Sequence, residues 1–256
     1  MVEIDFKKNY ITSDLHFFHN NIIKYAERKE YQPFDDEKTK RMNWDIVNSI
    51  NAQVPDEKGI VLWNLGDVFY GRLFSQQPLE NLKRLISVMK GKHRKLNLIL
   101  GNHDFQFKKW ANWQKLYPLN AQSSLQTIFQ NCGFDVVYDI PILIENKYIL
   151  SHEPVFLKPG SQFINIHGHT HQKILKDSDD FTSKFFCYDL ENYKMVLKAY
   201  KDSGREIPPI SLKKDWESWL VDCKNYFNAC WDYQNYKVRS FESIKKELEN
   251  NYKGQS

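Results

Sequence analysis

The feature that most constrains this chain is a pattern repeated five times: a short apolar run that ends in Asp, Asn or His. "YITSDLH" ends in Asp14 and His16, "GIVLWNLGD" in Asp67, and "LNLILGNHD" in Asn102, His103 and Asp104. "KYILSHEP" ends in His152, and "FINIHGHTH" in His167, His169 and His171. The runs are rich in Ile, Leu, Val or Tyr, which fits short buried strands. Between the early runs the period changes. Met42, Ile46, Val47 and Ile50 fall at helical spacing in 36–51, and Leu79, Leu82, Leu85, Ile86 and Met89 share one face of 79–90. The stretch "DVVYDIPILIENKYILS" reads as a hairpin turning near Glu145 and Asn146, and "KFFCYDL" as a further strand. Alternation followed by hairpins predicts a layered α/β fold with mixed sheets.

"GREIPPIS" at 204–211 is the best candidate boundary. Beyond it, Trp216, Trp219, Leu220, Cys223, Phe227, Cys230 and Trp231 recur at three- and four-residue steps, which predicts an amphipathic helix. A second helix is expected from Ser240, with Phe241, Ile244 and Leu248 on its face. Residues 1–203 are therefore read as a catalytic domain, and 204–256 as a helical extension packing on it.

In layered α/β folds ligands collect at the carboxyl ends of strands, where loops converge. A single Asp or His there is an ordinary turn or surface residue. Here seven of the eight histidines lie in, or within three residues of, the five strand ends, so chance placement does not account for the set. Mixed oxygen and imidazole donors suit Mn, Fe or Zn better than Ca or Mg. The absence of cysteine from the set argues against a structural zinc site. Two ions need about seven ligands including a shared carboxylate, and the five segments supply that number.

Taken in order, "DLH" at 14–16, "GD" at 66–67, "GNHD" at 101–104, "SH" at 151–152 and "GHTH" at 168–171 resemble the calcineurin-like metallophosphoesterases, more narrowly their small bacterial and phage members. The resemblance implies a four-layer α/β/β/α sandwich of two mixed sheets, with the C-terminal helical extension outside it. It implies two divalent metal ions. Asp14, His16 and His171 would hold one ion, Asp67 would bridge, and Asn102, His152 and His169 would complete the other. It further implies phosphoester hydrolysis by a hydroxide bridging the ions, with His103 touching the phosphate and acting as general acid. Manganese is the expected metal, with iron or zinc next. Some relatives carry an acidic residue shortly after G-D that orients the G-N-H histidine. "GDVFYG" has none, and Asp104 is the candidate to replace it.

Gly66, Gly101 and Gly168 adjoin ligands, where a Cβ would crowd the metals. His167, one step before the last motif, is read as supporting the site from behind or as structural. Arg72, with Lys108 and Lys109, is the candidate phosphate contact. The basic run at Lys83–Lys95 precedes its strand and is expected to be a solvated edge. Aromatics after the ligands (Phe17, Phe18, Phe69, Tyr70, Phe105, Phe107, Phe156) either line a slot for a base or simply pack the loops. The expected substrates are nucleotide-like or other small phosphoesters. A nuclease acting on DNA or RNA is the alternative, and a non-catalytic scaffold a third reading. "SHEPVF" is not a zinc-protease helix, because Pro154 would break it and Phe156 takes the second His position.

Composition bounds the partners. The chain has 256 residues, 41% apolar and 15% aromatic, with a formal net charge of +4. That bias is too weak to imply nucleic-acid or membrane binding. "MVEIDFKKNY" lacks the apolar core of a secretion signal, and no apolar stretch reaches the length of a membrane span. A cytoplasmic protein is expected. Its four cysteines, without a CxxC pair, are read as buried apolar residues.

Overall fold

The computed structural model describes residues 4–33, 35–70, 78–106, 125–155, 157, 162–171 and 225–253. Two sheets lie face to face. The first runs β4-β3-β2-β1-β9, built from β1 (Asn9–Thr12), β2 (Val61–Asn64), β3 (Lys95–Ile99), β4 (Val136–Tyr138) and β9 (Arg239–Ser240). Its strands are parallel except β9, which pairs antiparallel with β1. The second runs β5-β6-β7-β8, built from β5 (Ile142–Ile144), β6 (Tyr148–Ser151), β7 (Ile164–His167) and β8 (Tyr226–Asn228). Only β5 and β6 are antiparallel there.

The helices expected at 36–51 and 79–90 are present. Helix α1 (Ile22–Tyr25) is a single turn, and α2 (Asp36–Gln53) opens on Asp35, whose carboxylate accepts from the Lys38 amide at 2.7 Å. That bond satisfies one of the free donors at a helix start. Helix α3 (Pro78–Lys90), α4 (Asn102–Gln106) and α5 (Leu125–Asn131) follow. Met42, Ile46, Val47 and Ile50 of α2 and Leu82, Leu85, Ile86 and Met89 of α3 join Leu62, Leu96 and Leu98 in one core between helices and first sheet. The alternate residues, Ile11, Trp63 and Ile99, face a second core with Ile142, Ile144, Leu150, Ile164 and Ile166 between the sheets. Burial on both faces is why these strands read as continuous apolar runs. The helical layer expected on the outer face of the second sheet, the "KFFCYDL" strand and the boundary at 203/204 lie outside the described residues.

Two expectations change. "DVVYDIPILIENKYILS" does contain a hairpin, β5–β6, turning at Glu145 and Asn146 with φ of 51° and 52°. Its first part, however, is β4 in the other sheet, so the chain switches sheets at 139–141. The amphipathic helix expected over 216–231 is absent from its described part: Tyr226–Asn228 is strand β8, parallel to β7. Residues 225–240 thus give a strand to each sheet before α6 (Phe241–Lys253), the helix expected from Ser240. Ser240 caps α6, accepting from the Ser243 amide, and Phe241 packs edge-on against Phe6 and Tyr148 at 5.0 and 5.1 Å. Among the described residues no helix is long and apolar enough to cross a membrane.

Candidate metal centre

Parallel pairing brings the five strand ends to one edge of the sandwich. The loop after β1 continues alongside the loop after β2: the Asp14 amide donates to Gly66 O at 3.0 Å and the His16 amide to Asp67 O at 2.9 Å. Five of the residues in question hold left-handed backbone: Asp14, His16, Asp67, His169 and His171, with φ between 49° and 69°. Such conformations are uncommon away from glycine, although Asp and His tolerate them better than most, and they concentrate at functional sites. Gly66, at φ 106°, is required for a second reason. A Cβ there would lie 2.5 Å from His152 Nδ1, and one on Gly168 would lie 2.5 Å from Asp14 Oδ2.

Three overlapping groups result: Asp14, His16 and His171; His16, Asp67 and His103; and Asp67, His152 and His169. Within each group the candidate ligand atoms lie within 4.8 Å of one another. Asp14 Oδ1 stands 3.8 Å from both His16 Nε2 and His171 Nε2. Asp67 Oδ2 stands 3.8 Å from His16 Nε2, 3.7 Å from His103 Nε2 and 3.4 Å from His152 Nε2. Asn102 Oδ1 is 3.0 Å from both His152 Nε2 and His169 Nδ1. All seven residues assigned from the sequence as metal ligands therefore converge, with Asp67 and His16 each common to two groups.

The residues fit a pair of cations. Asp14 Oδ1 and His16 Nε2 are buried without a hydrogen-bond partner. Unpaired buried polar atoms are costly, and an ion between them would supply the missing partner. The remaining atoms are already fixed. Asp14 Oδ2 accepts from the His169 amide at 2.9 Å and from Cys230 Sγ at 3.1 Å, which leaves Oδ1 to face the histidines. His152 Nδ1 lies 2.8 Å from Leu65 O and donates to it, so Nε2 is the ring nitrogen left to meet an ion.

Charge balance follows the same geometry. Burial favours a neutral carboxyl at Asp14 and Asp67, but neighbouring histidines hold both well below the usual carboxylate range. Burial pulls His16 and His169 down to about 4, so both are free bases at neutral pH. His152 goes the other way: burial opposes its charge, but Asp67 carries it up to about 10. His171 is likewise raised, with the Asp232 hydrogen bond overcoming burial.

His103 sits on the first turn of α4, half-buried, its amide donating to Asp67 Oδ1 at 2.9 Å. Its Nδ1 has no hydrogen-bond partner. Asp104 is not that partner, contrary to its expected orienting role. Its carboxylate accepts from the amides of Asp67, Gly101 and Phe69 at 2.8, 2.9 and 3.4 Å, tying the loops after β2 and β3 together. Burial, reinforced by Asp67, raises it to about 8. Beside His103 stand rings instead: Tyr70 meets it edge-on at 4.7 Å and stacks on His19 at 3.8 Å.

Other expectations sort cleanly. Phe17 and Phe69 are core, Phe18 packs partly buried against it, and Phe105 is exposed. Phe107, Phe156, Arg72, Lys108 and Lys109 lie outside the described residues. His167 is fully buried, with Nδ1 2.8 Å from Gly168 O. Arg94, in the basic run expected at a solvated edge, is instead buried and caps Met89 O and Val54 O. Cys132 and Cys230 are buried and free, as expected, whereas Cys187 and Cys223 are outside the described residues. Asp232, Arg28 and His19 were not assigned to the site from the sequence. Asp232 Oδ2 lies 2.9 Å from His171 Nδ1, and His19 Nδ1 lies 3.3 Å from His16 Nδ1. "NYFNACWD" does repeat the apolar-run-then-Asp pattern, a signal masked by the helical reading of 216–231.

A family model described as calcineurin-like phosphoesterase matches residues 8–229. The uncharacterized protein MJ1445 of Methanocaldococcus jannaschii is 31% identical over 167 residues, covering 62% of this chain and 81% of that one. A solved structure, the protein of unknown function AQ665 from Aquifex aeolicus, shares 20% identity at a TM-score of 0.43 over 93% of this chain and 97% of that one. That likeness is too loose to bear on the site.

Proposed function

Because this chain belongs to the calcineurin-like phosphoesterase family, we propose that it hydrolyses small phosphoesters with two divalent ions held by Asp14, His16, Asp67, Asn102, His152, His169 and His171. The observation that carries this reading is the Asp67 carboxylate shared between two ligand groups, beside buried Asp14 Oδ1 and His16 Nε2 atoms that lack partners. Manganese suits the oxygen–imidazole set best, with iron or zinc next. When bound, such ions lower the pKa of a coordinated water and neutralise charge on phosphate oxygens.

The chain's own residues do the rest. Asp14 and Asp67 supply negative charge in a buried edge, and His16 and His169 meet cations without first losing a proton. His103 Nε2, 3.7 Å from Asp67 Oδ2, is the group placed to contact the phosphate and deliver a proton to the leaving oxygen. Burial lowers its pKa in the free protein. An arriving phosphate, being anionic, shifts it upward and favours the charged ring where the proton is needed. Asp104 keeps the two loops in register so that His103 and Asp67 stay adjacent. The Tyr70–His19 stack beside His103, with exposed Phe105 on the same helix, favours substrates bearing a base or another flat group.

The test is hydrolysis of an activated aryl phosphodiester and its monoester by chelator-stripped protein, before and after adding Mn²⁺. Metal-restored turnover supports the reading, and the diester-to-monoester ratio narrows the substrate class. No turnover with Mn²⁺, Fe²⁺ or Zn²⁺ by folded protein overturns it.

A further inference from the structure

The segment after β8 was not assigned to the site from the sequence, yet it reaches the first ligand group. Ser13 and Cys230 form an isolated parallel bridge, and the Trp231 amide donates to Ser13 O at 3.0 Å, so this segment runs beside the loop that carries Asp14. Asp232 follows directly, its side chain fully buried against that of Arg28. Arg28 Nε donates to Asp232 Oδ1 at 2.7 Å and Nη2 to Oδ2 at 3.1 Å, a two-point fit of guanidinium to carboxylate. The same guanidinium donates onward to the main chain, Nη2 to Asp14 O and Nη1 to Leu15 O, each at 3.0 Å. Asp232 Oδ2 also lies 2.9 Å from His171 Nδ1.

One carboxylate therefore touches one ligand, His171, and reaches a second, Asp14, through Arg28. It accepts from His171 Nδ1, which leaves Nε2 as the ring nitrogen turned to Asp14 Oδ1, 3.8 Å away. Through Arg28 it also pins the left-handed turn at Asp14, φ 58°. A carboxylate behind a histidine ligand sets its tautomer, its ring angle and its basicity. On the other ion's side, the group behind His152 is a backbone carbonyl, Leu65 O.

We infer that Asp232, locked by Arg28, is a positioning residue for the ion held by Asp14, His16 and His171, and not for the ion held by Asn102, His152 and His169. The inference rests on the two-ion reading above. A purely structural ion pair would tether the segment after β8 to the rest of the fold and affect both ions alike, through the fold.

The test is calorimetric titration of metal-free protein with Mn²⁺, using the full chain. Wild type is compared with Asp232→Asn and with Arg28→Met/Asp232→Asn, which removes both buried charges together and avoids stranding a guanidinium. Wild type should show two binding steps. In each variant one step should weaken about 10–100-fold while the other keeps its affinity. Two unchanged steps, or two steps weakened equally, overturn the inference and leave the two-ion reading standing. A wild type that takes up no ion overturns the two-ion reading and this inference with it. A second readout needs no variant. In protein labelled with ¹⁵N at histidine, the metal-free wild type should show an exchange-protected, low-field Nδ1–H at His171. Its absence overturns the inference even if no variant folds.

Discussion

The two halves of the proposed metal centre are built from similar donors but supported differently. Around Asp14, His16 and His171 the support comes from side chains: the buried Asp232–Arg28 pair and the Cys230 thiol on Asp14. Around Asn102 and His152 the described residues add main chain: Leu65 O behind His152, the close approach of Gly66, and the amides gathered by Asp104. Support by a side chain can be removed by one substitution, whereas a carbonyl cannot. The first half should therefore be chemically fragile, and the second sensitive mainly to changes in backbone shape. Asp67 belongs to both.

The largest effect should come from that shared residue. Asp67→Asn should weaken both binding steps and reduce hydrolysis to background, measured by titration and turnover together. Two ions bound with full turnover would remove the basis of the comparison. Next, His103→Ala should keep both ions and slow turnover by about 10²–10⁴-fold, most for substrates with poor leaving groups. Ion loss in that variant would make His103 a ligand. Gly66→Ala sharpens the contrast, since its Cβ would press on His152 Nδ1 from a left-handed backbone. It should weaken the step that Asp232→Asn leaves intact; titration showing both substitutions acting on the same step would contradict the division.

The smallest effect is a shared one. His152 is raised to about 10, so at neutral pH its half of the metal-free centre holds a proton that an incoming ion must displace, and the raised His171 shifts the other half in the same direction. Affinity should therefore rise with pH. For the His152 half the rise should continue toward about pH 10, by about tenfold per unit. His16 and His169, already free above about pH 4, add nothing in that range. Calorimetry in buffers of different protonation enthalpy should show about one proton released as the His152 half fills; no release would mean that this ring is neutral beforehand.

What could be read from the sequence was whatever repeats a simple period or a fixed order. Strand ends at Asp14, Asp67, Asn102, His152 and His169 announce themselves because a buried strand must stop where polar residues begin. The helix at 36–53 does so through Met42, Ile46 and Ile50. Strand β8 did not: a three-residue strand buried in a sheet has no room to show alternation, and Phe227, Cys230 and Trp231 fall at helical spacing by accident of the flanking turn. Asp232 went unread with it. Arg28 lies 204 positions from Asp232, and only the fold brings them together. Asp104 was misjudged for the opposite reason. Next to His103 in sequence, it turns its carboxylate to amides in another loop.

The most direct test of the account is electron paramagnetic resonance of the chelator-stripped chain loaded with two equivalents of Mn²⁺. A carboxylate shared between neighbouring ions couples their spins, so the account predicts an exchange-coupled signal that Asp67→Asn abolishes. The hyperfine pattern of isolated Mn²⁺ at full loading would contradict it.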